Sequence, residues 1–252
     1  MAFTNKIVLV TGGSRGIGRA IAQQFAENGA NVVVHYNSNL AAAEETVSTL
    51  TGDNHLIVQA DMKEAEAVDE MVKTAVSHYG RLDILINNAG IFEDHPLAEV
   101  SYDEWQMRWK ATIDTNLIGP ANAMYCAGQQ MIKQGGGRIV NVSSRGAFRG
   151  EPIGPAYGAS KAGMNAMSQS LAKYLAPFNI FVGVVAPGFV QTEMAKEHLK
   201  GPQGDKIRSQ SPLNRVATAD EVAYGVLFLA SDGAEFMTGS ILDVNGASYL
   251  RS

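Results

Sequence analysis

Ile7-Val8-Leu9-Val10-Thr11-Gly12-Gly13-Ser14-Arg15-Gly16-Ile17-Gly18 is the stretch that decides the fold. A short apolar run rich in β-branched side chains feeds directly into a glycine-rich turn. Beyond the turn Ile17, Ile21 and Phe25 share one face at helical spacing, so the segment reads strand, tight turn, helix. The glycine spacing is G-x-x-x-G-x-G. Glycines there let the backbone turn sharply and approach a pyrophosphate closely. The helix behind them presents unpaired N–H groups and the positive end of its dipole. No Gly-Lys-Ser/Thr occurs at the turn, so a γ-phosphate would lack its lysine and a P-loop is a poor reading. A dinucleotide fits better.

The same alternation continues outward. Apolar runs recur at 7–10, 32–34, 56–58, 84–86, 139–142, 181–185 and 241–244, several bounded by Gly, Asn or Asp. Between them lie helix-period faces: Leu40, Ala43, Val47 and Leu50; Val68, Met71, Val72, Ala75 and Val76; Trp105, Trp109 and Ile113; Val222, Val226 and Leu227. Continuous apolar strands alternating with helices predict βαβ units. The expectation is a single doubly wound, Rossmann-type α/β domain over residues 1–252, with a parallel sheet and helices on both faces. The polar segment 192–212, with Gly201, Pro202 and Gly204, reads as an inserted lid over the site.

Composition narrows the function. With 252 residues the chain can bury a sizeable core without staples, and its single cysteine, Cys126, allows no internal disulfide. Twenty Lys and Arg against 25 Asp and Glu give a net charge of -5, which argues against a nucleic-acid partner. The longest apolar stretch, 180–190, is broken by Gly183, Pro187 and Gly188, so no membrane span is read. A cytoplasmic enzyme is expected. His55, His78, His95, His198 and Cys126 show no metal-ligand spacing, so no metal is expected.

The second strand ends His35-Tyr36-Asn37-Ser38-Asn39. An NAD site usually places a carboxylate here for the ribose hydroxyls. None is present, several donors are, and Arg15 in the turn can reach a ribose phosphate as a charged donor. NADP is therefore favoured over NAD. His35 is either one of those donors or a strand-end packing residue. Asp61, ending the third strand, either accepts from an adenine amino group or caps a helix beginning near Lys63.

Tyr157 and Lys161, four apart on a helix, share a face. An ammonium beside a phenol stabilises the phenolate and lowers its pKa, which makes Tyr157 a candidate general acid for a carbonyl oxygen. Ser144 directly follows a strand, on the edge where open α/β sheets place their ligands.

Together, Thr11-Gly12-x-x-x-Gly16-x-Gly18, Asn87-Asn88-Ala89-Gly90, Asn116, Ser144, Tyr157-x-x-x-Lys161 and Pro187-Gly188 resemble, in order and over nearly the whole chain, the short-chain dehydrogenase/reductases. The resemblance implies seven parallel strands, matching the seven apolar runs. It implies Tyr157 as acid-base, Lys161 as its partner and ribose ligand, Ser144 as carbonyl donor, and Asn116 as holder of a relay water. It implies cofactor contacts from Gly12, Ser14, Arg15, Gly16, Ile17 and Gly18; from Tyr36, Asn37, Ser38, Asp61 and Met62; and from Asn88, Ala89, Gly90, Pro187, Gly188, Val190 and Thr192. Hydride transfer between NADP and a ketone or secondary alcohol follows, in a homotetramer in which Met164 and Met167 lie at a subunit interface.

Within the family the chain looks like the 3-oxoacyl-[acyl-carrier-protein] reductases. Those typically carry arginines at the active-site mouth to grip the carrier, where this chain has Gly135 and Phe178. Lys133 and Arg138 are the nearby basic residues. Arg145 and Arg149, between Ser144 and Tyr157, either favour an anionic substrate or are solvated or paired with acids. Two other readings are an NADP-binding sensor without turnover and a sugar or polyol dehydrogenase.

Overall fold

The computed structural model describes residues 1–193, 195 and 199–251. Strands and helices alternate along the chain: β1 (Ile7–Val10), α1 (Gly16–Glu27), β2 (Asn31–Tyr36), α2 (Leu40–Ser48), β3 (Leu56–Gln59), α3 (Ala65–Tyr79) and β4 (Ile84–Asn87). Then come α4 (Tyr102–Ile113), a π-helical turn (Asp114–Ile118), α5 (Gly119–Gln134), β5 (Gly137–Val142), the short α6 (Gly146–Arg149) and α7 (Pro155–Leu175). The last elements are β6 (Ile180–Pro187), α8 (Gly201–Arg208), α9 (Ala219–Ala230) and β7 (Ile241–Val244). All seven strands are parallel, in the order β3-β2-β1-β4-β5-β6-β7. The order reverses between β1 and β4, so a ligand crevice opens beyond their carboxyl ends.

Side-chain alternation splits the core in two. Val8, Val10, Val32, Val34, Val140 and Val142 face α1 and α9, where Ile21, Phe25, Val222 and Val226 are fully buried. Leu9, Val33, Leu85, Ile139, Val182 and their neighbours face α3, α5 and α7. Sealing each such side chain from water contributes about 1.5–3 kcal/mol, which explains why the strands read as unbroken apolar runs. At α9 the N-terminus is closed by a capping box: Thr218 Oγ1 accepts from Glu221 N–H at 3.2 Å, and Glu221 Oε2 accepts from Thr218 N–H at 2.9 Å.

Three expectations shift. The third helix starts at Ala65 rather than near Lys63, because Asp61 forms a turn of its own, accepting from Lys63 N–H (3.0 Å) and Glu64 N–H (3.0 Å). Leu50 lies beyond the end of α2. Met164 is fully buried within the chain and belongs to its own core, not to a subunit interface, while Met167 packs on the second core at its margin.

Candidate active site

The β1–α1 turn is held from three sides. Thr11 Oγ1 accepts from Asn88 N–H (2.9 Å) and Ala89 N–H (3.1 Å), and Asn88 Nδ2 donates to the carbonyls of Thr11 (3.0 Å) and Gly12 (3.2 Å). Gly12 adopts φ +62°, a region that side-chain-bearing residues avoid. A Cβ at Gly18 would collide with the Gly12 carbonyl oxygen and lie 2.6 Å from Asn88 Nδ2. Turn and helix thus meet closely only because both positions are glycine. Arg15 precedes α1 with extended backbone and gives no side-chain cap, so the first N–H groups of α1 are left to a ligand. This cradle fits a dinucleotide pyrophosphate.

Around it Gly16 faces Thr192, whose Cγ2 lies 3.4 Å from where a Gly16 Cβ would stand. Ser14 is buried, its carbonyl accepting from Thr46 Oγ1 (2.9 Å) and Arg19 Nη2 (3.1 Å), and Ile17 is half-buried against the first core. Arg15, Asn37 and Ser38 are exposed together at this corner, with Tyr36 buried behind them. Asp61 pairs with Lys63 (3.3 Å) beside buried Met62. Pro187 ends β6, Gly188 packs on Asn245, and Val190 is buried and bridged to Ala217.

His35 is not among the exposed donors at the strand end. It lies beneath the turn, 1% exposed, with Nδ1 accepting from Gly12 N–H at 2.9 Å and Nε2 lying 3.0 Å from the Ala60 carbonyl. Burial lowers its pKa from the ordinary 6.5, against the opposing pull of that carbonyl and of Asp61.

Across the crevice, the π-helical turn between α4 and α5 carries Asn116, which is fully buried. Its Oδ1 accepts from Ile91 N–H (2.8 Å), and its Nδ2 donates to Ile91 O (2.9 Å) and Ser160 Oγ (3.3 Å). A Cβ on Gly90 would stand 3.2 Å from Asn116 Oδ1 and 3.5 Å from Lys161 Nζ, so Gly90, Asn116 and Lys161 form one cluster. Lys161 Nζ donates to the Val142 carbonyl at 2.9 Å, and burial pushes its pKa down to about 8. Ser144 stands just past β5, its Oγ accepting from Gly146 N–H (3.0 Å) and hydrogen-bonded to Tyr157. Predicted residues from the units that follow β4 and β5 therefore converge on one edge, beside the turn after β1.

The expected lowering of the Tyr157 pKa by Lys161 is corrected. Burial pushes the phenol up, the Ser144 hydrogen bond pulls it back, and the nearby Glu151 charge adds to the rise. Lys161 Nζ lies 5.8 Å from the Tyr157 ring centroid and is turned toward Val142. A cation would have to come from a bound group to favour the phenolate.

Two neighbours were missed. Phe92 packs edge-on against Tyr157, centroids 5.0 Å apart. His95, fully buried, accepts at Nε2 from Ala156 N–H (3.3 Å) and so caps the first turn of α7, which carries Tyr157. Neither residue sits at a recognisable spacing from Tyr157; only the Asn-Asn-Ala-Gly turn upstream hinted that this loop meets the site. The basic residues take structural partners. Arg145 is buried, donating to Ser248 Oγ (2.5 Å) and Gln210 Oε1 (2.5 Å). Arg149 meets Glu151 (3.4 Å), and Arg138 meets Glu235 (2.5 Å) while stacking on Phe181. Gly135 ends α5 at φ +86°, and Phe178 is exposed. Among the described residues no three His, Cys, Asp or Glu side chains gather as a metal site; His198 lies outside those residues.

A parallel sheet with this switch point, a glycine cradle and a Ser–Tyr–Lys cluster defines a nicotinamide-linked oxidoreductase of the Rossmann type. A family model described as enoyl-(acyl carrier protein) reductase matches residues 12–247, and the chain belongs to the short-chain dehydrogenase/reductase family. It is similar to the 3-oxoacyl-[acyl-carrier-protein] reductase FabG of Staphylococcus aureus, 40% identical over 247 residues that cover 97% of this chain and 98% of that protein. The Synechocystis 3-oxoacyl-[acyl-carrier-protein] reductase is 38% identical over 252 residues, covering 99% of both. A dehydrogenase/reductase structure from Sinorhizobium meliloti superposes with a TM-score of 0.90 at 30% identity, covering 99% of this chain and 97% of that one. The protein is an NADP-dependent oxidoreductase acting on the carbonyl/CH–OH couple.

Proposed function

We propose that the protein reduces the 3-keto group of 3-oxoacyl thioesters. The observation that carries this reading is the convergence of Ser144, Tyr157, Lys161 and Asn116 beside the glycine cradle, in a chain alike from end to end to 3-oxoacyl reductases. NADPH, when bound, supplies the hydride. Ser144 donates a hydrogen bond to the substrate oxygen and orients it toward the phenol. Tyr157 gives that oxygen its proton as negative charge develops. The buried Lys161 ammonium holds the ribose hydroxyls and returns a proton to the phenolate left behind. Asn116, within its π turn, keeps a water through which Lys161 recovers a proton from solvent; π turns recur at such functional positions.

The turn residues Gly12, Ser14, Arg15, Gly16, Ile17 and Gly18 cradle the pyrophosphate and adjoining phosphate. Tyr36, Asn37 and Ser38 receive the adenosine ribose, Asp61 and Met62 the adenine, and Asn88, Ala89 and Gly90 the central channel. Pro187, Gly188, Val190 and Thr192 bracket the nicotinamide, and the described part of the segment 192–212, which includes α8, covers the substrate; residues 194 and 196–198 of that segment lie outside the described residues. The chain works as a homotetramer in the cytoplasm. Arg138 is held by Glu235 and no arginine occupies position 135 or 178, so the reactive thioester rather than a carrier-protein grip is what the site reads.

The test is turnover of a short 3-oxoacyl thioester with NADPH and NADH, beside a panel of ketones, sugars and steroid alcohols, with Tyr157→Phe as control. NADPH-preferring thioester reduction is expected, together with loss of most turnover but retained NADPH affinity in the variant. Silence on the thioester with activity on another substrate overturns the substrate class; near-normal turnover by the variant overturns the role of Tyr157.

A further inference from the structure

His35 is a buried titratable group that the reduction does not use. It touches the phosphate turn twice. Its ring accepts the Gly12 N–H at 2.9 Å, and its own carbonyl accepts the Gly13 N–H at 2.9 Å. An N–H donor at Gly12 requires a lone pair on Nδ1. The proton therefore sits on Nε2, which donates to the Ala60 carbonyl at 3.0 Å. Both nitrogens are committed, and only the neutral Nε2–H tautomer satisfies both contacts. Gly12 is also the residue whose carbonyl receives Asn88 Nδ2 and abuts Gly18. Gly12 is thus fixed at its nitrogen by His35 and at its carbonyl oxygen by Asn88.

We infer that His35 is a positioning residue for the cofactor: its neutral imidazole sets the Gly12 backbone of the phosphate turn, and protonation at Nδ1 releases that turn and weakens dinucleotide binding. A second proton would place N–H against N–H across the 2.9 Å contact, with nothing to accept either. Burial opposes that proton in the resting fold. Asp61, beyond β3, is the charged group acting on the ring, and it is itself paired with Lys63 at 3.3 Å. The inference rests on the reading of this turn as the pyrophosphate site.

The test compares NADPH dissociation constants between pH 7.5 and 5.0 for wild type, His35→Asn and His35→Leu, followed by quenching of protein fluorescence. Asn places its Oδ1 where the ring has Nδ1 and carries no proton to gain. Wild-type affinity is expected to fall toward acid, by up to tenfold per pH unit once the ring titrates. In His35→Asn the affinity at pH 7.5 stays within about threefold of wild type and the added acid loss disappears. His35→Leu, with no acceptor, binds about five- to tenfold more weakly across the range. The ligand phosphate, Asp61 and Lys63 are common to all three proteins, so their titration cancels in the comparison. Hydrogen–deuterium exchange of the 11–18 segment in the wild-type protein, corrected for intrinsic rate, needs no variant; its protection is expected to drop as the pH falls. An Asn variant with the wild-type acid limb, or turn protection unchanged from pH 7.5 to 5.0, overturns the inference. Wild type that binds no NADPH at pH 7.5 overturns the reading of the turn itself and the inference with it.

Discussion

Replacing Lys161 with methionine is expected to stabilise the protein while abolishing its turnover. The side chain is 3% exposed, its ammonium donates to Val142 O at 2.9 Å, and no carboxylate pairs with it among the described residues. Its pKa falls from 10.5 to about 8 through burial alone. That fall corresponds to about 3 kcal/mol against the folded, charged form at neutral pH. Methionine removes the charge and fills much of the same space, but leaves the Val142 carbonyl short of a donor at a cost of about 1 kcal/mol. The net gain is about 2 kcal/mol, or about 4–8 °C in Tm for a chain of this length. The sign with pH follows from proton binding. Between about 8 and 10.5 the unfolded chain holds a proton that the folded lysine has lost, so wild-type stability rises with pH across that window. The cost of the ammonium is complete below about 8 and fades toward 10.5. Thermal unfolding at one protein concentration, without nucleotide because binding would itself shift Tm, should show the variant ahead at pH 7 and the gap narrowing by pH 10. A variant that melts at or below wild type at pH 7, or a gap that does not change with pH, refutes the reasoning.

Two further outcomes follow from the same geometry. For thioester reduction, kcat/KM reports groups of the free enzyme, so it should fall as pH rises through about 8 and Lys161 loses its proton; a pH–rate profile flat to pH 9 would contradict this. Gly18→Ala drives a methyl into the Gly12 carbonyl and toward Asn88 Nδ2, and should cost about 1–3 kcal/mol of stability and at least tenfold in NADPH affinity. Urea unfolding and nucleotide titration check it, and a variant unchanged in both removes the close-approach argument.

The sheet was legible because its inner strands, β2, β1, β4, β5 and β6, are buried on both faces. Each of the seven apolar runs became a strand within a residue or two, and the parallel order is the topology that strand–helix alternation favours. What escaped was local turn chemistry. Asp61 delayed the start of α3 by forming its own turn, which no periodicity announces. The π turn at Asn116 was equally hidden, since one extra residue in a helical turn leaves the apolar spacing almost intact. Met164 was misjudged because a helix face turned toward a neighbouring subunit and one buried within the chain itself carry the same apolar pattern.

Burial separates structure from chemistry less well than hydrogen-bond satisfaction does. His35 and Lys161 are both sealed basic side chains, 1% and 3% exposed, and both have their pKa lowered by burial. Yet the imidazole meets a partner at each nitrogen, and its geometry fixes one tautomer. The ammonium has three protons to give and, among the described residues, the Val142 carbonyl as its hydrogen-bond acceptor. A buried cation held by a single neutral acceptor is costly, and a fold keeps it only where another partner arrives. The sequence left His35 as either a ligand donor or a strand-end packing residue, and its support of the turn went unseen, because two histidine nitrogens facing backbone groups leave no trace in spacing. Lys161, by contrast, was found through Tyr157, four residues before it. Its unmet donors, set 3.5 Å from the place of a Gly90 Cβ, are what set it apart from a satisfied member of the core.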